Sequence, residues 1–151
     1  MKAVIQRVKS ASVTVGGNEI SKIREGFFIL LGVVEEDTEA EARLLAAKTA
    51  NLRVFCDSDD KMNLSLLQTE GSALVVSQFT LCADTKKGNR PSFIKAKAPK
   101  EADALYQMYM QELRDLGVSD VQSGEFGADM LCGINNDGPV TIILDTDTWK
   151  R

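Results

Sequence analysis

Ser77-Gln78-Phe79-Thr80-Leu81 follows the apolar run Ala73-Leu74-Val75-Val76 and sets two hydroxyls and an amide where a buried strand ends. Polar groups in such a place are hydrogen-bonded or put to use, since an unpaired one costs roughly 1–3 kcal/mol. A second stretch, Asn136-Asp137-Gly138-Pro139-Val140-Thr141, is a polar turn feeding the apolar segment 140–144. Proline fixes φ and has no N–H, and glycine tolerates almost any backbone angle, so Gly138-Pro139 can aim two carbonyl oxygens in an unusual direction. That is a way to build a binding site from main chain. The chain has no histidine, which removes Ser-His-Asp and Cys-His catalysis, H-E-x-x-H metal sites and the usual general base near pH 7.

The elements that position these groups fit within one domain covering residues 1–151, a length at which folding buries roughly 70% of the chain's surface. No run of about 18 apolar residues is present and the N-terminus lacks the apolar core of a signal peptide, so a cytoplasmic protein without a membrane partner is expected. Residues 3–8 and 12–15 read as two strands. Gly16-Gly17-Asn18 is a hairpin signal leading to a third at 19–23. Phe27-Phe28-Ile29-Leu30-Leu31 reads as a strand buried on both faces. Thr38 with Glu41 makes a capping box for a helix over 38–51. Pro99 opens a second helix, with Leu105, Tyr106, Tyr109, Leu113 and Leu116 on one stripe and Gly117 at its end. Strands are further expected at 53–55, 62–65, 121–126, 131–134 and 140–145, and one is expected to carry Ser77-Gln78-Phe79-Thr80. The fold class is α+β, with mostly antiparallel sheets around a barrel-like core and two main helices.

Cys56, Cys82 and Cys132 are widely spaced and include no C-x-x-C pair, so buried small hydrophobes are expected rather than disulfides or zinc ligands. Asp57, Asp59 and Asp60 lack the glycine and glutamate of a calcium loop and read as a solvated turn. No metal and no cofactor are expected. The net charge of −4 argues against a general nucleic-acid coat, but its distribution is uneven. Lys86, Lys87, Arg90, Lys95, Lys97 and Lys100 stand against Asp84 alone, a local +5 that leaves −9 for the rest. A protein that touches phosphate with one patch has this asymmetry; a lysine-rich solvated loop has it equally.

Six segments in order, Val4-Ile5-Gln6-Arg7-Val8, Lys61-Met62-Asn63-Leu64-Ser65, 77–81, 88–93, Gly124-Glu125-Phe126-Gly127-Ala128-Asp129-Met130 and 136–141, resemble the D-aminoacyl-tRNA deacylase family. The resemblance covers nearly the whole chain and implies a homodimer that hydrolyses D-aminoacyl-tRNA, and glycyl-tRNA as well. It implies that the Gly-cisPro turn of one subunit, here Gly138-Pro139, enters the other's pocket and rejects L-amino acids. The tRNA's 3′-terminal adenosine then lies between that turn and Ser77-Gln78-Phe79-Thr80.

In that frame the lack of histidine is no obstacle, because an aminoacyl ester is already activated and positioning plus an oxyanion site can suffice. Thr80, Gln78 and Ser77 are the catalytic candidates. Thr80 is either a nucleophile or a group that hydrogen-bonds substrate, and the positioning role is favoured because no neighbour in sequence supplies a base. Gln78 offers a donor for an oxyanion or water, Ser77 for ribose or phosphate, and Phe79 a packing or stacking surface for adenine. Arg7 is expected to brace the Gly138-Pro139 turn through its carbonyls. Phe126 and Met130 line the pocket or fill core, and Lys86, Lys87 and Arg90 are the tRNA-binding candidates. A noncatalytic nucleic-acid binding module would account for the basic loop alone, and a small-ester hydrolase for the pocket alone.

Overall fold

The computed structural model describes residues 1–150, and its architecture follows from one long strand, β1 (Lys2–Val15). One edge of β1 pairs along its whole length with β8 (Leu131–Asp145), antiparallel from Lys2↔Asp145 to Thr14↔Leu131. The other edge is shared by two strands in succession. β3 (Gly26–Gly32) takes residues 2–8 and β2 (Asn18–Ile23) takes residues 11–15, both antiparallel. The separate strands expected at 3–8 and 12–15 are therefore one. Lys9 and Ser10 interrupt the hydrophobic alternation and fall between the β3 and β2 pairings, but the β8 ladder on the other edge carries past them with a shift of register.

The sheet continues from β3 to β6 (Ser72–Ser77) and β7 (Val121–Ser123), and both of these pairings are parallel, so the sheet is mixed within the expected α+β class. Gly26, at φ +155°, has to be glycine: a Cβ there would lie 1.9 Å from the Ser72 carbonyl oxygen. The sheet curls until β2 approaches β7, where the Lys22 amide donates to Gln122 Oε1 at 3.0 Å, and it is thereby nearly closed into a barrel.

The expectation of a doubly buried strand at 27–31 is met by two apolar layers. Phe27, Ile29 and Leu31 join Ala3, Ile5, Ala73 and Val75 beneath the helices; Phe28, Leu74 and Val76 join Val8, Val13 and Ile23 on the opposite face. Helix α1 (Glu39–Asn51) starts at the capping box, the Thr38 hydroxyl serving the first turn while Glu41 accepts from the Thr38 amide at 2.7 Å. A single turn α2 (Leu66–Thr69) precedes β6, and α3 (Pro99–Asp115) buries Leu105, Tyr106, Tyr109, Met110 and Leu113 against the sheet and α1. Tyr109 is fully buried, and its hydroxyl meets Thr49 Oγ1 at 2.8 Å, a pairing that removes the penalty of an orphaned phenol.

β4 (Phe55–Cys56) and β5 (Met62–Leu64) form a separate small hairpin; β4 begins at the last residue of the strand expected at 53–55, and β5 stops one residue short of the expected 62–65. Its turn is held by Asp57, whose carboxylate accepts from the amides of Asp59 and Lys61 and from Asn63 Nδ2. Those bonds, led by that of Lys61, lower its pKa. Of the cysteines, Cys82 is buried as expected and Cys132 half-buried, whereas Cys56 on the hairpin is exposed.

Candidate active site

The polar strand end lies at a corner. β6 stops at Ser77, and residues 79–82 wind into one 3-10 turn, so the strand expected to carry Gln78, Phe79 and Thr80 ends one residue before them. The corner is anchored by the Gln78 amide, which donates to the Leu31 carbonyl of β3 at 2.7 Å. The Gln78 side-chain amide donates to Thr80 Oγ1, so each side chain fixes the other and the threonine proton points elsewhere. No carboxylate or amine engages the Thr80 hydroxyl among the described residues. The next two main-chain donors, the N–H groups of Phe79 and Thr80, open the 3-10 turn and make no hydrogen bond among the described residues.

This corner forms one wall of a cavity of about 630 Å³. Ser77, Gln78 and Phe79 line it with Phe93, Lys97, Phe126, Asp129 and Met130, and Ala98, Pro99 and Ala102 at the start of α3 form part of the wall. Phe79 is 57% exposed and meets Phe93 edge to face, ring centroids 5.1 Å apart. The pair makes an aromatic wall with a free face for a flat ring. Below the cavity the Tyr106 hydroxyl donates to the Val75 carbonyl at 2.8 Å; burial pushes its pKa up to about 12, so it remains a neutral donor. Lys97 Nζ donates to the Glu35 carbonyl at 2.7 Å.

The Gly138-Pro139 turn does not line this cavity. It lies within β8, which runs unbroken where two strands were expected at 131–134 and 140–145. Between Gln6↔Thr141 and Val8↔Asn136 the ladder skips Arg7 on one strand and residues 137–140 on the other, so the turn loops out of the sheet. The Gly138-Pro139 bond is cis, and both residues are exposed. Arg7 braces the turn as expected: Nε donates to the Asp137 carbonyl at 3.1 Å and Nη1 to the Val54 carbonyl at 2.6 Å. Asn136 completes the brace, accepting from the Val140 amide at 2.8 Å and donating to Thr141 Oγ1 at 3.0 Å. Gly138 has φ +128°, and a Cβ would lie 3.0 Å from Arg7 Nη2 and from Val140 Cγ2.

The basic segment is a loop closed by the bridge between Asp84 and Ser92. The Lys86 amide and then Lys95 hold the Asp84 carboxyl below its ordinary pKa. Lys95 is paired with Asp84 at 3.3 Å. Lys86, Lys87 and Arg90 form no ion pair among the described residues, and all three are exposed.

Sequence reasoning thus located the corner and the Arg7 brace, and of Phe126 and Met130, left open between pocket and core, both line the cavity and both also pack against a core cluster. Phe93 it placed only within the family-like segment 88–93 and Lys97 only within the basic cluster; the anchor at Val54 it did not single out. Ser92-Phe93 beside Pro91 in a polar loop is the one signal that could have marked Phe93, an aromatic with no periodic pattern to bury it.

The family model described as D-Tyr-tRNA(Tyr) deacylase matches residues 4–145. A D-aminoacyl-tRNA deacylase of Roseiflexus sp. is 56% identical over 151 residues, covering 100% of this chain and 97% of the relative. Another from Dehalococcoides mccartyi is 55% identical over 97% of this chain and 95% of its own. Among solved structures, a c-Myc DNA Unwinding Element Binding Protein superposes with TM-score 0.91 at 44% identity, over 96% of this chain and 98% of that one. A probable eukaryotic D-amino acid tRNA deacylase shares the fold, with TM-score 0.82 at 18% identity over 95% and 97% of the two chains.

Proposed function

The chain belongs to the D-Tyr-tRNA(Tyr) deacylase family of aminoacyl-tRNA hydrolases, and from that premise we propose how its own residues cleave D-aminoacyl-tRNA. The terminal adenosine occupies the cavity, its base against the free face of Phe79 and its ribose near Ser77. Water attacks the ester carbonyl. The tetrahedral oxyanion is met by the free N–H groups of Phe79 and Thr80, a pair of preorganised donors of the kind whose loss costs about 10²–10³ in kcat. On collapse, the carbonyl carbon's bond to the ribose oxygen breaks, the ribose oxygen takes up a proton and the D-amino acid leaves as the free acid. Gln78 and Thr80 orient the carbonyl or the water through their mutual hydrogen bond; neither forms a covalent intermediate.

The observation that carries this reading is the pair of unengaged N–H donors, among the described residues, at an uncapped 3-10 turn whose first residue, Phe79, lines the cavity while Thr80 stands just outside its lining.

Selection of the D enantiomer falls to a second copy of the chain. The Gly138-Pro139 turn is exposed, braced and not part of its own cavity's lining, which suits an element that enters a partner's. In a homodimer its carbonyls accept the α-ammonium group and leave no room for a side chain on the L side, while glycine, having none, passes. Lys86, Lys87 and Arg90 hold tRNA phosphates, and the work belongs to the cytoplasm, beside translation. DNA binding, which the name of one structural neighbour describes, finds less support in a chain of net charge −4.

The test compares D-tyrosyl-tRNA with free D-tyrosine methyl ester. The reading expects cleavage of the first at catalytic enzyme concentrations and neglect of the second. Equal cleavage of both would make the chain a small-ester hydrolase.

A further inference from the structure

A second cleft of about 350 Å³ adjoins the cavity, sharing Asp129 and Met130 with it and bounded otherwise by Thr14, Gly16, Gly17 and Leu131. Its polar groups are uncommitted. Asp129 is exposed and takes part in none of the ion pairs or side-chain hydrogen bonds of the described residues. Gly16 and Gly17 form the tip of the β1–β2 hairpin at φ +56° and +81°, with nothing among the described residues within 4 Å of where a Cβ would stand and no hydrogen bond from either N–H to a described residue. Leu131, paired with Thr14 across the ladder, leaves 74% of its side chain open to solvent.

A free carboxylate beside the cavity that receives an RNA end is unfavourable for a polyanion unless it accepts a hydrogen bond from it. The cleft therefore offers an acceptor at Asp129, donors at the Gly16-Gly17 tip and an apolar surface at Leu131. Every tRNA ends in cytidine-cytidine-adenosine. Cytosine carries the matching set: an N4 amino donor, O2 and N3 acceptors and a flat ring, and carboxylates commonly accept from its N4. Uracil has an acceptor, O4, in place of N4, and would set oxygen against oxygen.

We infer that this cleft is a subsite for the penultimate nucleotide of the substrate, read as cytidine by Asp129. The inference rests on the deacylase reading, which puts the terminal adenosine in the larger cavity next door. It adds a recognition element outside the reacting ester, where binding energy can be used to place the carbonyl against the oxyanion donors.

The experiment uses three chemically synthesised D-tyrosyl esters, of adenosine, of cytidylyl-(3′→5′)-adenosine and of uridylyl-(3′→5′)-adenosine, with the native enzyme and with Asp129→Asn. The subsite predicts kcat/KM for the cytidylyl ester above that for the uridylyl ester by roughly tenfold, the lower part of the range for one base contact. In Asp129→Asn, whose amide can donate to O4, the ratio of the two falls to near one or inverts. The ratio is the readout because a general effect on turnover leaves it untouched. Equal rates for both dinucleotide esters with the native enzyme, or a preference that Asp129→Asn leaves intact, would overturn the subsite while the deacylase reading stood. A fall of both dinucleotide esters together in Asp129→Asn, ratio unchanged, would reassign Asp129 to the amino acid's ammonium group. Failure to cleave any of the three, and D-tyrosyl-tRNA with them, would remove the deacylase reading itself.

Discussion

The guanidinium of Arg7 links two carbonyls that the chain separates widely, donating to Asp137 at 3.1 Å and to Val54 at 2.6 Å. Arg7 is one of the few points where β1, the small hairpin and the outward loop of β8 are tied together, and its side chain is only 11% exposed. A lysine ammonium keeps the charge but not the fork that spans both acceptors. Arg7→Lys is therefore expected to lose about 1.5–3 kcal/mol in urea denaturation, the range for hydrogen bonds to a charged group. Deacylation of D-tyrosyl-tRNA should fall by roughly tenfold or more, equivalent to about 1.4 kcal/mol in the barrier. Wild-type stability and turnover in this variant would mean that the turn holds its shape without Arg7.

Thr80 separates two mechanisms. Gln78 donates to its oxygen and no base engages its proton among the described residues, so the proposed positioning role expects both Thr80→Ser and Thr80→Ala to keep measurable activity, with Ser the better. A nucleophile would tolerate Ser and fail outright with Ala. Rapid quench followed by intact-protein mass spectrometry adds an independent check, and an acyl group trapped on residue 80 would refute the positioning role.

These roles were unevenly legible in the sequence. Local chemistry was readable: the Thr38/Glu41 box, Pro99 at the head of α3 and the two-layer burial of 27–31 all depend on near neighbours and on periodicity. The limits appeared where tertiary partners overrule local pattern. Lys9 and Ser10 suggested a break that the β8 ladder on one edge of β1 carries across. Asn136-Asp137-Gly138-Pro139 looked like a turn between strands, yet β8 continues past it because the excursion lies opposite the single residue Arg7. The 3-10 turn at 79–82 leaves no trace in the polarity of Phe79-Thr80-Leu81, and the Val54 anchor, 47 residues from Arg7, has no sequence signal at all.

The basic loop yields a salt-dependence test. Lys86 and Lys87 are exposed and lack acidic partners among the described residues, unlike Lys95, which Asp84 holds. Replacing both by alanine should weaken tRNA binding and reduce the magnitude of the slope of log K against log salt by roughly 0.7–0.9 for each phosphate no longer neutralised. Turnover at saturating tRNA should change little. An unaltered slope would leave these lysines as solvated loop residues.

Exchange of the turn between subunits can be read by complementation. Gln78→Ala spoils the cavity wall and Gly138→Ala spoils the turn, the latter because φ +128° and the 3.0 Å approach of Arg7 leave no place for a methyl group. Each variant alone should be nearly inactive. Mixed under conditions that exchange subunits, they should recover about a quarter of the native sites, since roughly half of the dimers are mixed and each of those has one intact site. No recovery in demonstrably mixed dimers would confine the turn's role to its own subunit.

The measurement that bears most directly on the whole account is the release of amino acid from D-tyrosyl-tRNA and L-tyrosyl-tRNA, prepared on the same tRNA and followed side by side at equal enzyme concentration. The account predicts rapid loss of the D ester, while the L ester decays at the rate seen without enzyme. Equal hydrolysis of the two, or loss of the L ester alone, would contradict it.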